Sequence, residues 1–285
     1  MNWSAIAFAL LGFIMNAYAQ NSSTTNAKGT YNEKSLRPIR KEDQMFRKAL
    51  WFRMDLREKM NQSFFVPNNE FSKLLIDAVK KGIIQPYRND SLETRMSLEE
   101  FLENLRIPDF QQDDELALEM SNEDVWGNKK KNKPKEQAEY FPRQIYIVEI
   151  REDLIFDRVR SRMYHDIQAI TLIIPGEQTP TGLDKVLASF SYKELVENLF
   201  KPIDPNTGRR VENPNAIWFN PHNSAAHLNL ADAFELRQFS AGLVKYENPK
   251  NKSIVDTYGS GKRGLIASEQ ALMKLIEYEA LLWSY

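Results

Sequence analysis

The chain contains no cysteine, and that one absence removes several chemistries together. Disulfides, zinc–thiolate centres, iron–sulfur clusters, a thiol nucleophile and a lipid-bearing N-terminal cysteine all need the missing residue. Histidine is scarce as well: His165, His222 and His227 are the only three among 285 residues. No two of them stand at i, i+4, no H-E-x-x-H is present, and all three read as surface or loop residues. Neither sign of charge dominates, since 38 Lys+Arg stand against 39 Asp+Glu for a net charge of −1. Without a cationic excess to neutralise phosphates, no nucleic-acid partner is expected. A G-x-S-x-G elbow is missing too, and carboxylates are too numerous for one pair to stand out as a glycosidase couple. No catalytic, metal or cofactor-binding residues are therefore assigned, and no cofactor is expected.

Long apolar runs are also lacking. The longest, eleven residues from Ala5 to Met15, is about half the ~20 needed to cross a bilayer. It is followed by Ala17-Tyr18-Ala19 and Gln20, the layout of a cleavable secretory signal with cleavage between Ala19 and Gln20. Met1 to Ser4 depart from that layout by carrying no Lys or Arg. The expectation is an exported, soluble chain from Gln20 onward with no direct membrane span. Any membrane attachment must come through a partner.

What remains has the composition of a globular protein, with 42% apolar residues, too many for wholesale disorder. Residues 20–39 are small and polar and read as a flexible tail. Residues 40–108 read as a helical portion. Met45, Phe46, Ala49, Leu50, Phe52, Met54, Leu56 and Met60 form a wide stripe on a helix over Arg40–Met60. Phe71, Leu74, Leu75, Ala78 and Val79 fall at i, i+3, i+4, i+7, i+8, with Asn69 to cap that helix and Gly82 to end it. Ser97 with Glu100 makes a capping box ahead of Phe101, Leu102 and Leu105. Residues 109–139 read as a charged linker: seven acids and no base from Asp109 to Asp124, then five lysines from Lys129 to Lys135.

Residues 140–285 read as a mixed portion. Strands are expected near 145–150, 167–174, 186–190 and 216–219, and helices at 191–200, 229–239 and 266–283. The fold class is thus α+β, a helical N-terminal portion followed by a mixed α/β C-terminal portion. SLEEFLENL at 97–105 echoes SYKELVENL at 191–199, which is explained by shared helix-start chemistry rather than duplication. Gly259-Ser260-Gly261-Lys262-Arg263-Gly264 spells G-x-G-x-x-G after a strand-like SIVDTY. A dinucleotide site needs a further strand bearing an acid about 20 residues on. Residues from Leu265 to Trp283 read instead as one helix, so the glycines are a turn into it. Large aromatics near element ends (Trp218 and Phe219 in one place, Trp283 and Tyr285 in another) are the candidate partner interface.

Three phrases, in order, resemble the GldN/PorN family of gliding-motility and type IX secretion system proteins of Bacteroidetes. They are Arg53-Met-Asp-Leu-Arg-Glu-Lys-Met-Asn61 with Val66-Pro67; Arg151-Glu-Asp-Leu-Ile-Phe-Asp157 with Arg160-Ser-Arg-Met163 and Ile170–Pro175; and Trp218-Phe-Asn-Pro-His-Asn223 with Leu230–Leu236 and Ile254–Tyr258. Leu154 departs from the tryptophan expected there, and no counterpart is expected in the family for the C-terminal glycine turn and helix. The resemblance implies a non-catalytic periplasmic subunit, associated with the inner face of the outer membrane. It implies a homo-oligomeric ring built with an outer-membrane lipoprotein, coupled to the periplasmic arm of an inner-membrane motor and supporting secretion of cell-surface proteins. The competing expectation is a periplasmic enzyme or small-ligand-binding protein without a recognisable motif, which a deep apolar pocket with convergent polar groups would favour.

Overall fold

From Leu50 to Leu56 every second residue is buried: Leu50, Phe52, Met54 and Leu56 face inward while Trp51, Arg53 and Asp55 stay half-exposed. That is the period of a strand, not of a helix. In the computed structural model, which describes residues 31–108 and 138–283, Gln44–Asp55 is strand β1. The expected helix over Arg40–Met60 is therefore corrected, and with it the helical N-terminal portion. Lys48, Ala49, Leu50, Met54 and Leu56 are good helix formers, but propensity is a weak prior. Pairing on both edges, with residues 147–157 on one side and 242–246 on the other, overrides it.

Short strands β2 (Phe65–Val66) and β3 (Asn69–Glu70) lead into α1 (Phe71–Lys80), and α2 spans Leu98–Leu105. Then come β4 (Ile147–Asp157), β5 (Arg162–Ile174) and β6 (Lys185–Ser191). Helix α3 (Tyr192–Glu194) runs on as a π-helix over Leu195–Phe200. The remaining elements are β7 (Ile217–Trp218), β8 (Leu228–Asn229), α4 (Leu230–Glu235), β9 (Gly242–Tyr246), α5 (Ile254–Tyr258) and α6 (Lys262–Leu282). The centre is a five-stranded antiparallel sheet in the order β6-β5-β4-β1-β9, with the longest helix at the C-terminal end. The described chain is sheet-centred.

β1 precedes the charged stretch and β4 follows it, so one sheet draws on both sides of residues 109–137. The ends of that stretch meet: Ile107 N–H donates to Ala138 O (2.8 Å) and Tyr140 N–H to Leu105 O (2.9 Å). The stretch itself, the signal run with its Ala19–Gln20 junction, the tail before Tyr31 and the terminal Tyr285 lie outside the described residues.

Helices α1 to α4 cover one face of the sheet. Their side chains and those of Leu50, Met54, Val148, Ile150, Ile170 and Leu172 form one core cluster. At its centre Phe234 lies 5.2 Å from Phe64 and 5.4 Å from Phe71, tilted pairs contributing about 0.5–1.5 kcal/mol each beyond burial. The opposite face is covered near Trp51 by the loop after α1, where Trp51 Nε1–H donates to Asp90 (2.6 Å).

Local signals resolve unevenly. Gly82 ends α1 as expected: its N–H reaches Val79 O and Ile83 N–H reaches Ala78 O, both at 2.9 Å, a Schellman closure. Asn69 does not cap α1; it lies in β3, and Glu70 takes the N-cap position without a side-chain bond. Ser97 accepts from Glu100 N–H (3.2 Å), but Glu100 turns to Arg88 instead of closing the box. Ser191 and Asn229 cap α3 and α4, so shared start chemistry accounts for the echo. The strand-like SIVDTY is helix α5, closed by a reciprocal Ser253–Asp256 box. Gly264 explains the glycine turn: a Cβ there would sit 2.6 Å from Gly259 O.

Candidate partner interface

Where β1 ends, the chain is fixed by its own polar groups. The Asp55 carboxylate accepts the Arg57 N–H (2.8 Å) and the Arg57 guanidinium (3.2 and 2.9 Å). That guanidinium lies 3.5 Å from the ring centroid of Tyr146, a cation–π contact. Tyr146 in turn donates to Glu177 (2.7 Å); burial first, then this carboxylate, push its hydroxyl pKa up to about 12. Asn61 is fully buried. Its amide donates to Asp55 O and Ser240 O and its carbonyl accepts Ser240 N–H, all at 2.8 Å. The loop after β1 is thereby tied to the loop after α4, which lies 179 residues away in sequence.

A second tie runs through the FNP segment. Phe219 N–H donates to Ser63 O (3.0 Å), so Trp218 and Phe219 lie against the 3-10 turn Gln62–Phe64. Beyond them the loop organises itself around Asn220, whose Oδ1 accepts the N–H groups of His222 and Asn223 (3.0 and 3.2 Å). Asn220 N–H donates to His227 Nδ1 (3.1 Å), and the His227 ring lies 4.8 Å from that of Phe219. His222 and His227 are loop residues, as the sequence suggests.

Between these two ties runs an open groove of about 910 Å³. Met60, Phe65, Pro67, Trp218, Phe219 and Phe239 supply apolar lining, and Arg57, Lys59, Arg143 and Arg237 stand among them with no acid. Met60 is 72% exposed, and Phe219 37%. Trp218 is half-buried, packed against the core on one side and the groove on the other. Its indole Nε1 is buried without a hydrogen-bond partner among the described residues. Such a surface suits capture of another apolar surface better than chemistry on a small molecule.

The other candidate patch lies apart from this groove. Trp283 follows the last residue of α6, is 56% exposed, and stands edge-on to Phe156 at 6.4 Å. Its companion Tyr285 is outside the described residues. Sequence reasoning missed Asn61 and Phe239. Both depend on a long-range contact that no local pattern announces.

His165 differs from the other two histidines. It sits on β5, exposed, with Nδ1 2.7 Å from an oxygen of the fully buried Glu152, whose other oxygen accepts from Arg237 (2.5 Å). Burial pushes the Glu152 carboxyl up, but His165 and Arg237 outweigh it and hold the group below the usual range. Both of its oxygens are thus engaged, which leaves no free base. Nearby, burial pushes Asp166 up to about 6, against the lowering effect of Ser35 and Gln168. Among the described residues no group of three or more His, Asp or Glu is placed to hold a metal ion.

Residues 39–284 match the family described as "Gliding motility associated protein GldN". The chain belongs to the GldN family. The match runs across every strand and helix described above, and the expectation that the C-terminal glycine turn and helix lack a family counterpart is corrected, since both fall inside it. No curated protein matches the chain. In this GldN-family fold, two of the three phrases that carried the resemblance meet in space. Met60 and Pro67 from the first phrase and Trp218 and Phe219 from the third line the same groove. No helix among the described residues is long and apolar enough to cross a membrane.

Proposed function

We propose that this GldN-family chain is a non-catalytic subunit of the type IX secretion and gliding-motility machinery. It acts in the periplasm at the inner face of the outer membrane. There it forms a homo-oligomeric ring with an outer-membrane lipoprotein, meets the periplasmic arm of an inner-membrane motor and supports secretion of cell-surface proteins. The observation that carries this reading is the family match over residues 39–284. The open apolar groove at Trp218 and Phe219 supports it as the docking surface for the lipoprotein, because aromatic anchors in a desolvated centre dominate binding energy. The net charge of −1 supplies no overall long-range field, but Arg57, Lys59, Arg143 and Arg237 line the groove without an acid, so apolar contact is joined there by local basic charge.

Cross-linked envelopes test it. Purifying the chain should bring down an outer-membrane lipoprotein as a major partner. Phe219→Ala with Met60→Ser, both on the exposed lip, should cut that recovery about tenfold or more, the effect of losing one anchor. Unchanged recovery would remove the groove from the interface. Absence of any outer-membrane lipoprotein would overturn the reading itself.

A further inference from the structure

Helix α6 is apolar on two opposite sides. One side is seated on the subunit: Ala267, Ala271 and Leu275 pack against the core, and Ser268 donates to Leu243 O of β9 (2.7 Å). Tyr278 completes that side, 4.9 Å from Phe46. At 3.6 residues per turn, Leu265, Ile266, Met273, Ile276, Ala280 and Trp283 fall within about 100° of arc on the far side. The five large ones are between 41% and 62% exposed. A surface helix ordinarily carries charge there. Glu269 is the one interruption within that arc between Leu265 and Trp283.

The charges of α6 are placed unfavourably for the helix itself. Lys262 and Arg263 open it, with no acid in the first turn, and Glu277 and Glu279 stand near an end whose last turn has no base. This opposes the macrodipole, which favours acids at the start and bases at the finish. None of the four forms an ion pair with another described residue.

We propose that this outer face of α6 binds the same face of a second copy of the chain, the two helices running antiparallel about a two-fold axis. That arrangement lays apolar surface on apolar surface and relieves both electrostatic faults at the helix ends. Its cost lies at the two-fold, where the two Glu269 side chains come about 4.5 Å apart along the axis, so Glu269→Gln should tighten the pair. With Leu265 opposite the second copy's Ile276, Lys262 falls opposite Glu279, and Arg263 lies beside Glu277. A parallel pair would stack like charges at each end. The contact is isologous, so it cannot by itself close a ring. It adds a two-fold element beyond the ring reading and does not depend on it.

The test uses the chain from Gln20 to Tyr285, purified without any partner and followed by sedimentation equilibrium. A concentration-dependent dimer is expected. Ile276→Asp should raise its dissociation constant about tenfold or more while leaving the thermal midpoint unchanged at concentrations where both chains are monomeric. Glu277→Lys with Glu279→Lys should weaken the dimer likewise, and adding Lys262→Glu with Arg263→Glu to the same chain should restore it. Because native cysteine is absent, introduced thiols report orientation. Leu265→Cys with Ile276→Cys should oxidise to a covalent dimer, whereas Leu265→Cys alone should not. Antiparallel copies hold the two 265 positions about 16 Å apart, far beyond disulfide reach. A monomer at all concentrations, a dimer indifferent to Ile276→Asp, or cross-linking through Leu265→Cys alone would each overturn the pairing. A dimer that recovers no lipoprotein from envelopes would sink the proposed function and leave the pairing standing.

Discussion

Asn61→Ala should be among the costliest single changes in the loop that follows β1. The side chain is fully buried and makes three bonds of 2.8 Å, two as donor and one as acceptor. Each net bond is worth about 1 kcal/mol, and its removal strands a backbone group that has little access to water. The expected loss is about 3 kcal/mol. For a chain of this size that lowers the thermal midpoint by roughly 6–12 °C. Urea denaturation should give the same figure from the shift in midpoint at constant slope. Asn61→Asp sharpens the test, because a carboxylate there faces two carbonyl oxygens and can no longer donate. Its pKa must rise, so the variant should lose stability as pH climbs above the ordinary carboxylate range and recover in acid. A loss under about 1 kcal/mol for Asn61→Ala, or a pH-independent Asn61→Asp, would refute the claim that Asn61 joins the two loops.

Trp283→Ala should leave the thermal midpoint of the isolated subunit nearly unchanged and weaken its assembly, since the ring is 56% exposed with one edge contact. Trp218→Ala should cost about 2 kcal/mol or more of folding stability because half of the ring belongs to the core. A reversed order in calorimetry would exchange their roles. Gly264→Ala in a helix ordinarily gains about 0.5–1 kcal/mol. Here the Cβ would meet Gly259 O at 2.6 Å, so a loss of about 1 kcal/mol or more is expected by denaturation. Asp166 has a folded pKa of about 6 against an ordinary 3.8. Its contribution is most favourable below the unfolded value and declines as pH rises to the folded one, by up to about 3 kcal/mol. Asp166→Asn should flatten that part of the stability profile between pH 4 and 7; a slope unchanged from the parent would refute the assignment.

The sequence disclosed most where a local signal was also the structural cause. Ser97, Ser191 and Gly82 mark helix ends because a cap oxygen or a positive φ acts within a few residues. The apolar runs at 145–150, 167–174 and 186–190 read as strands because few polar residues interrupt them, whereas residues 151–157 and 162–166, which lengthen β4 and β5, are too rich in charge to announce themselves. β1 was misread for a physical reason. Its stripe contains both a period of two at Leu50, Phe52, Met54 and Leu56 and helical spacings at Phe46, Ala49 and Leu50. Only its neighbours in the sheet decide between them. The SIVDTY segment carried a legible S-x-x-D box, but the apolar Ile254-Val255 pair masked it. β9, five residues long, carries too little pattern to announce itself.

The candidate site was half legible. Trp218 and Phe219 stood out as large aromatics in a loop, and the groove they line contains them. The other wall was hidden, since it depends on Phe219 reaching Ser63 and on Asn61 reaching Ser240. The second apolar face of α6 was written in the spacing of Leu265, Ile276 and Trp283. It could be told from a core face only once Ala267, Ala271 and Leu275 were seen to occupy the core.

Fractionation of cell envelopes with and without the outer-membrane lipoprotein tests the proposed function most directly. With the lipoprotein present, the chain should sediment with the outer membrane. When the lipoprotein is deleted, the chain should be released to the soluble periplasmic fraction in undiminished amount. Outer-membrane association that persists unchanged after the deletion would contradict the proposal.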